Sequence, residues 1–121
     1  MSGHVLLIED EPSVGELVRS YLIRDGWIVI WVRSGEEALV ELDRHAVRIV
    51  ILDIGLPGID GYDLARRLRA HPALNRAKLV ALSAYSDRER SRAAGFDQHL
   101  VKPVDLHTLQ QLLASLVAPP G

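Results

Sequence analysis

The sequence predicts an α/β domain in which a parallel five-stranded sheet is covered by helices on both faces. Three observations carry that prediction. Short apolar runs alternate with amphipathic segments along the whole chain, the βαβ pattern that puts strands in parallel. The runs Val5-Leu6-Leu7-Ile8, Ile49-Val50-Ile51-Leu52 and Leu79-Val80-Ala81-Leu82 are continuously apolar rather than alternating, as strands buried on both faces are. Each run, together with Leu100-Val101, ends abruptly in a polar group: Glu9-Asp10-Glu11, Asp53, Ser83 and Lys102.

The first strand is Val5 to Ile8. Pro12 opens the first helix, where a missing N–H costs nothing. Val14, Leu17, Val18, Tyr21 and Leu22 follow the i, i+3, i+4, i+7, i+8 spacing of one buried face, and Asp25-Gly26 stops it. The second strand runs from Trp27 to Val32. Ser34-Gly35-Glu36-Glu37 is a capping-box pattern that starts a helix burying Ala38, Leu39 and Leu42. The third strand is Ile49 to Leu52. A helix follows Asp60, turns Leu64 and Leu68 inward and stops near His71-Pro72. The fourth strand spans Lys78 to Leu82. The next helix starts at Ser86, with Glu89 three residues on, and ends at Gly95 as a C′ glycine. The last strand is His99 to Val101, and the last helix carries Leu106, Leu109, Leu112, Leu113 and Leu116 before an Ala-Pro-Pro-Gly tail.

With 121 residues and 48% of them hydrophobic, the chain has the size and core of one domain, residues 1–121. A net charge of −2 gives no broad basic field for nucleic acid. The absence of cysteine removes disulfides and thiolate metal sites and suits a reducing compartment. No apolar stretch approaches the roughly 20 residues of a membrane span, and Met1-Ser2-Gly3-His4 does not open a signal peptide. The cytoplasm is the expected location. The five histidines fall on different elements without ligand spacing.

Ligands of open parallel sheets bind beyond the carboxyl ends of the strands, where the strand order reverses. If the first and third strands are neighbours, Glu9, Asp10 and Asp53 lie together. Packed carboxylates repel, and one of them holds a proton unless a cation is present. A hard divalent ion such as Mg²⁺ needs only one or two carboxylates plus phosphate oxygens. Lys102 is ordinarily a solvated strand-end lysine, but here it faces three acids and could neutralise a phosphoryl group on Asp53. Ser83 could donate to the same group, and Ala84 keeps the entrance small. The Lys102-Pro103 bond is a candidate for the cis isomer. Trp27 and Trp31 share one face of the second strand, expected at the sheet edge. Core packing under the first and last helices is the simpler reading of the pair, and a docking patch for a kinase or sister domain the sharper one.

Over its whole length the chain resembles the receiver domains of two-component response regulators, and the segment Gly95 to Asp105 resembles those fused to hybrid sensor histidine kinases or those that stand alone. The matching residues are Ile8-Glu9-Asp10-Glu11-Pro12, Leu52-Asp53-Ile54-Gly55-Leu56-Pro57-Gly58-Ile59-Asp60-Gly61, Leu82-Ser83-Ala84, and Ala94-Gly95 through Val101-Lys102-Pro103. The resemblance implies a flavodoxin-like doubly wound sheet of order 2-1-3-4-5 with five helices, an order known from a chemotaxis receiver. It implies that Asp53 accepts a phosphoryl group from the phosphohistidine of a sensor histidine kinase or a histidine phosphotransfer domain. Asp10 would bind Mg²⁺ directly and Glu9 through water, with Asp53 and the Gly55 carbonyl completing the ligands and Mn²⁺ as a substitute metal. Ser83 and Lys102 would hold the phosphoryl oxygens. Such a domain is a switch that catalyses its own phosphorylation and dephosphorylation, not an enzyme with external substrates.

Three features depart from the family pattern. His99 stands where the strand-5 switch residue is usually Tyr or Phe. If it rotates with Ser83, the switch becomes pH-sensitive, an unperturbed imidazole titrating at about pH 6.5. Gly55 and Tyr85 occupy the two positions that tune phosphoryl lifetime, and Tyr85 would slow attack by water. The last helix, Leu106 to Val117, has no Lys or Arg, which disfavours the salt-bridged dimer of many DNA-binding regulators. An output partner would use the face formed by helix 4, strand 5 and helix 5. An aspartyl-phosphate phosphohydrolase would need a second acid where Gly55 stands. A nucleotide-binding module would need a glycine-rich loop after the first strand. A degenerate receiver would lack part of the Asp10, Asp53, Ser83, Lys102 set.

Overall fold

The computed structural model describes residues 4–55, 60–74, 77–84 and 88–117. In chain order the elements are β1 (His4–Ile8), α1 (Pro12–Arg24), β2 (Ile28–Val32), α2 (Gly35–Arg44), β3 (Val47–Asp53), α3 (Gly61–Ala70), a 3₁₀ turn at Pro72–Leu74, β4 (Lys78–Ser83), α4 (Arg88–Ala93), β5 (Gln98–Val101) and α5 (Leu106–Val117). All strand pairs are parallel, and the order is β2-β1-β3-β4-β5. The chain thus has the flavodoxin-like order that the resemblance implied. The expected start of α4 at Ser86 lies outside the described residues.

Strand alternation sorts each apolar run into two cores. Leu6, Ile8, Val50, Leu52, Leu79 and Ala81 pack with Ala38 and Leu42 of α2 and Leu64, Ala65 and Leu68 of α3. Val5, Leu7, Ile49, Ile51, Val80 and Leu82 pack with Val18 and Leu22 of α1 and Leu109 and Leu113 of α5. Strands β1 and β3 are therefore buried on both sides, as their unbroken apolar runs require. Each such side chain contributes about 1.5–3 kcal/mol of burial.

The helix starts have identifiable caps. The Glu11 side chain accepts from the N–H of Ser13, Ser34 from Glu37, and Asp60 from Tyr62. Asp105 accepts from His107 and Thr108 at the start of α5. Gly26 and Gly95 have φ of 96° and 103°, so each provides the left-handed turn that ends a helix. The Lys102–Pro103 bond is cis.

One expected core residue is not in the core. Leu17 is 56% exposed, and the buried face of α1 is Gly15, Val18 and Leu22, with Val14 and Tyr21 at its margin. The cause is Gly15, where a Cβ would overlap the Trp31 indole. The helix seats its glycine on that ring, and Leu17 rotates outward. The tryptophan pair is core rather than surface: Trp27 is buried and Trp31 packs against the α1/α5 cluster. The exposed apolar residue of the β2 edge is Ile28.

Candidate functional site

The register brings the polar strand ends together. Ile8 lies opposite Leu52, Asp53 opposite Leu82, and Ser83 opposite Val101. The residues that follow β1 and β5, Glu9 and Lys102, are thereby carried to the end of β3. Backbone bonds extend the alignment past the strands, from Ile54 N–H to Leu82 O at 2.9 Å and from Lys102 N–H to Ser83 O at 2.8 Å.

Asp53 is 5% exposed. The Gly55 N–H donates to its Oδ1 at 2.9 Å, and the Lys102 ammonium donates to its Oδ2 at 2.9 Å. Glu9 is fully buried, with Oε1 3.3 Å from the same ammonium and Oε2 accepting from Glu11 N–H at 3.2 Å. One ammonium thus serves two acids. Glu9 Oε1 has this ion pair but no well-aligned hydrogen bond. Carboxylate oxygens of Glu9, Asp10 and Asp53 come within 4.8 Å of one another, the one group of potential metal ligands among the described residues.

Burial, then the hydrogen bond and charge of Asp53, push the Glu9 carboxyl from its ordinary 4.5 up to about 7. Burial would raise Asp53 too, but hydrogen bonds from Glu9, Lys102 and the Gly55 N–H, with the lysine charge, outweigh it and hold Asp53 below the usual range. Burial also opposes the charge on Lys102, yet its two acid partners raise its pKa. The site therefore favours an ionised Asp53 and a charged Lys102 beside a Glu9 that holds its proton more tightly than an ordinary carboxyl. A divalent ion fits this donor set: it is all oxygen, crowded, and contains a buried carboxylate oxygen without a hydrogen-bond donor.

The acid triplet after β1 divides. Glu9 points inward, Asp10 is half-buried, and Glu11 is an exposed cap on α1. Two residues of β2 and its end, absent from the sequence-based site, hold the backbone there. Trp31 Nε1 donates to Glu9 O, and Arg33 donates to Asp10 O, each at 2.9 Å. The spacing of Trp27 and Trp31 showed their common face but not this indole bond. A Cβ on Gly55 would lie 3.5 Å from Asp53 Oδ1, so any side chain here would touch the carboxylate. Gly61 is required sterically, since a Cβ would come within 2.6 Å of the Ile54 carbonyl oxygen. Ser83 is buried at the end of β4 and Ala84 is exposed. Tyr85 lies outside the described residues.

His99 is not in the acid cluster. It lies opposite Ala81, two positions before the Ser83–Val101 pair and on the same face of the sheet. It is 5% exposed and bonds through Nδ1 to the buried Ser91 hydroxyl of α4. A lone histidine would ordinarily sit at the surface; here α4 covers it.

Residues 5–114 match the family model for the response regulator receiver domain. The chain belongs to that family. The receiver is 38% identical, over 98% of its length, to part of the virulence sensor protein BvgS of Bordetella pertussis, and spans about 10% of that relative. The receiver domain of the sensor histidine kinase PA1611 from Pseudomonas aeruginosa, with a magnesium ion coordinated in its active site cleft, superposes with a TM-score of 0.87 at 30% identity, covering 98% of this chain and 100% of that one. The response regulator TrrA from Thermotoga maritima, in complex with Mg²⁺ and BeF, gives 0.83 at 32% identity over 95% and 99%. Receivers are switch-like phosphoacceptors of two-component systems. Among the described residues no helix is long and apolar enough to cross a membrane.

Proposed function

We propose that this receiver accepts a phosphoryl group on Asp53 from the phosphohistidine of a sensor histidine kinase or histidine phosphotransfer domain. The carrying observation is the Asp53 carboxylate, fixed at Oδ1 by Gly55 and at Oδ2 by Lys102 within reach of two further acids. A carboxylate oxygen forms the P–O bond as the donor's P–N bond breaks, and the imidazole leaves with the electron pair. Lys102 turns from Asp53 to the incoming phosphoryl oxygens, where positioned charge lowers the barrier. Ser83 donates to one of those oxygens. Asp10, Asp53 and the Gly55 carbonyl would hold Mg²⁺, or Mn²⁺ in its place, with Glu9 reaching it through water. When bound, the metal neutralises the crowded carboxylates and the transferring phosphoryl group.

The chain catalyses only its own phosphorylation and, by admitting water, its dephosphorylation. Residues 1–121 act as one receiver unit in the cytoplasm, where the donor phosphohistidine is made. Ser83 and His99 carry the change toward α4, β5 and α5, where an output partner docks; Gly55 and Tyr85 set the lifetime. The element that moves is suited to it, because α4 is short and its inward contacts are few. Its sequence Arg-Glu-Arg-Ser-Arg-Ala buries Ser91 and lays Arg90 over the Tyr62 ring at 4.1 Å.

Incubation with acetyl phosphate and Mg²⁺, read by intact mass, tests the reaction. One metal-dependent phosphoryl adduct is expected on the wild type and none on Asp53→Asn. An adduct that persists in the variant contradicts the assignment.

A further inference from the structure

Among the described residues a polar concavity lies between α4 and β5, away from the acid cluster. It has a volume of about 150 Å³ and is walled by Arg88 and Arg92 and by the Ser91–His99 pair. The two arginines stand at i and i+4, so their guanidiniums rise from one side of the helix. Neither has an ion-pair or hydrogen-bond partner among the described residues. Asp97 also lines the cavity, but its Oδ2 accepts from Arg69 at 2.8 Å and from the Leu79 N–H at 2.8 Å. Its charge is balanced by Arg69, and among the described residues Arg88 and Arg92 remain as an unpaired positive wall. The concavity beside Tyr21, Arg24, Asp25 and Gln110 differs. There the side chains satisfy one another, Tyr21 donating to Gln110 and Gln110 to Asp25.

We propose that the α4–β5 cavity accepts the carboxylate of an acidic residue from the partner protein that docks on this receiver. The proposal rests on the switch reading above and names the chemistry of its partner. Size limits the occupant. Drug-sized ligands need about 300–1,000 Å³, whereas this cavity holds one small anionic group. Guanidiniums favour a planar carboxylate, which two N–H donors can grip. Val101, on the same face of β5 as His99, is 39% exposed and offers an apolar contact beside the cavity. An acidic residue followed by an aliphatic one matches both features. The carboxylate then sits against the Ser91–His99 pair, on the sheet face that leads to Ser83.

The test uses the full chain, isotopically labelled and metal-free, titrated with the peptide acetyl-Ala-Asp-Ile-Ala-amide. Its Asn counterpart and inorganic phosphate serve as comparison probes. Saturable shifts of the His99 ring and the Arg88 and Arg92 side-chain signals are expected, at least tenfold tighter for the Asp peptide than for the Asn peptide. Arg88→Gln with Arg92→Gln should abolish them, and Arg66→Gln, a surface control on α3, should not. Equal response to the two peptides, no saturation, or a response to phosphate alone overturns the proposal. Adduct formation from acetyl phosphate, read in parallel on the same variants, fails only if the Asp53 reading itself is wrong.

Discussion

Two charged clusters sit at opposite ends of the same sheet, and they are built differently. At the N-terminal ends of β4 and β5, Arg69 donates to the carbonyls of Leu74, Ala77 and Gly95 at 3.3, 3.1 and 2.8 Å and to Asp97 at 2.8 Å. Asp97 takes a further bond from Leu79. Charge is balanced one to one and the donors find acceptors. At the C-terminal ends, one ammonium faces Glu9 and Asp53, Asp10 stands beside them, and Glu9 Oε1 has no hydrogen bond. The first cluster is finished by the fold. The second is left short of positive charge, and the shortage is what a metal and a phosphoryl group would exploit.

The largest expected effect lies in the unfinished cluster. Lys102→Gln should slow adduct formation from acetyl phosphate by about 10²-fold or more, the scale of losing one charge-stabilising donor. A rate within threefold of wild type would mean that the lysine is only an ion-pair partner. In the finished cluster the effect should fall on stability instead. Arg69→Ala removes charge-assisted bonds to three carbonyls and Asp97 and should cost about 2 kcal/mol in denaturant unfolding. Its adduct should form at the wild-type rate. If Arg69→Ala left stability unchanged and slowed transfer, the contrast between the two ends would collapse.

A smaller effect sharpens the account of Glu9. Its folded pKa, about 7, lies above the ordinary 4.5. Below 4.5 both folded and unfolded chains hold the proton, and its contribution is fully present. As pH rises through 4.5 to 7 the unfolded chain releases the proton first, and stability is lost. Asp53 has the opposite sign, because its lowered pKa contributes stability that disappears only in acid. In EDTA, Glu9→Gln should therefore stabilise the protein at pH 8 by roughly 3 kcal/mol, the rise from 4.5 to about 7 being worth about 1.4 kcal/mol per pH unit. At pH 4 it should change little. Melting curves of both proteins at the two pH values provide the check.

Much of this was readable in the chain, for physical reasons that differ by region. The strands were legible because unbroken apolar runs end sharply at Glu9, Asp53, Ser83 and Lys102, and parallel register then leaves those ends adjacent. The face of α1 was misread at Leu17 because periodicity weighs side chains and ignores a glycine that seats an indole. The differing fates of Glu9, Asp10 and Glu11 were not legible, since three successive acids carry no mark of which turns inward and which caps a helix. The burial of His99 depends on Ser91, eight residues earlier in a helix with no large apolar residue. The roles of Trp31 and Arg33 as donors to Glu9 and Asp10 carbonyls are tertiary facts without a motif.

A divalent cation in the acid cluster would take over the charge balance that Glu9 otherwise keeps with a proton. Calorimetric titration with Mg²⁺ at pH 6.5, in two buffers of different ionisation enthalpy, measures this directly. Saturable binding is expected, releasing a substantial fraction of one proton from the wild type and almost none from Glu9→Gln, because metal displaces the proton that the crowded site retains. Absence of saturable binding, or equal proton release from the two proteins, would contradict it.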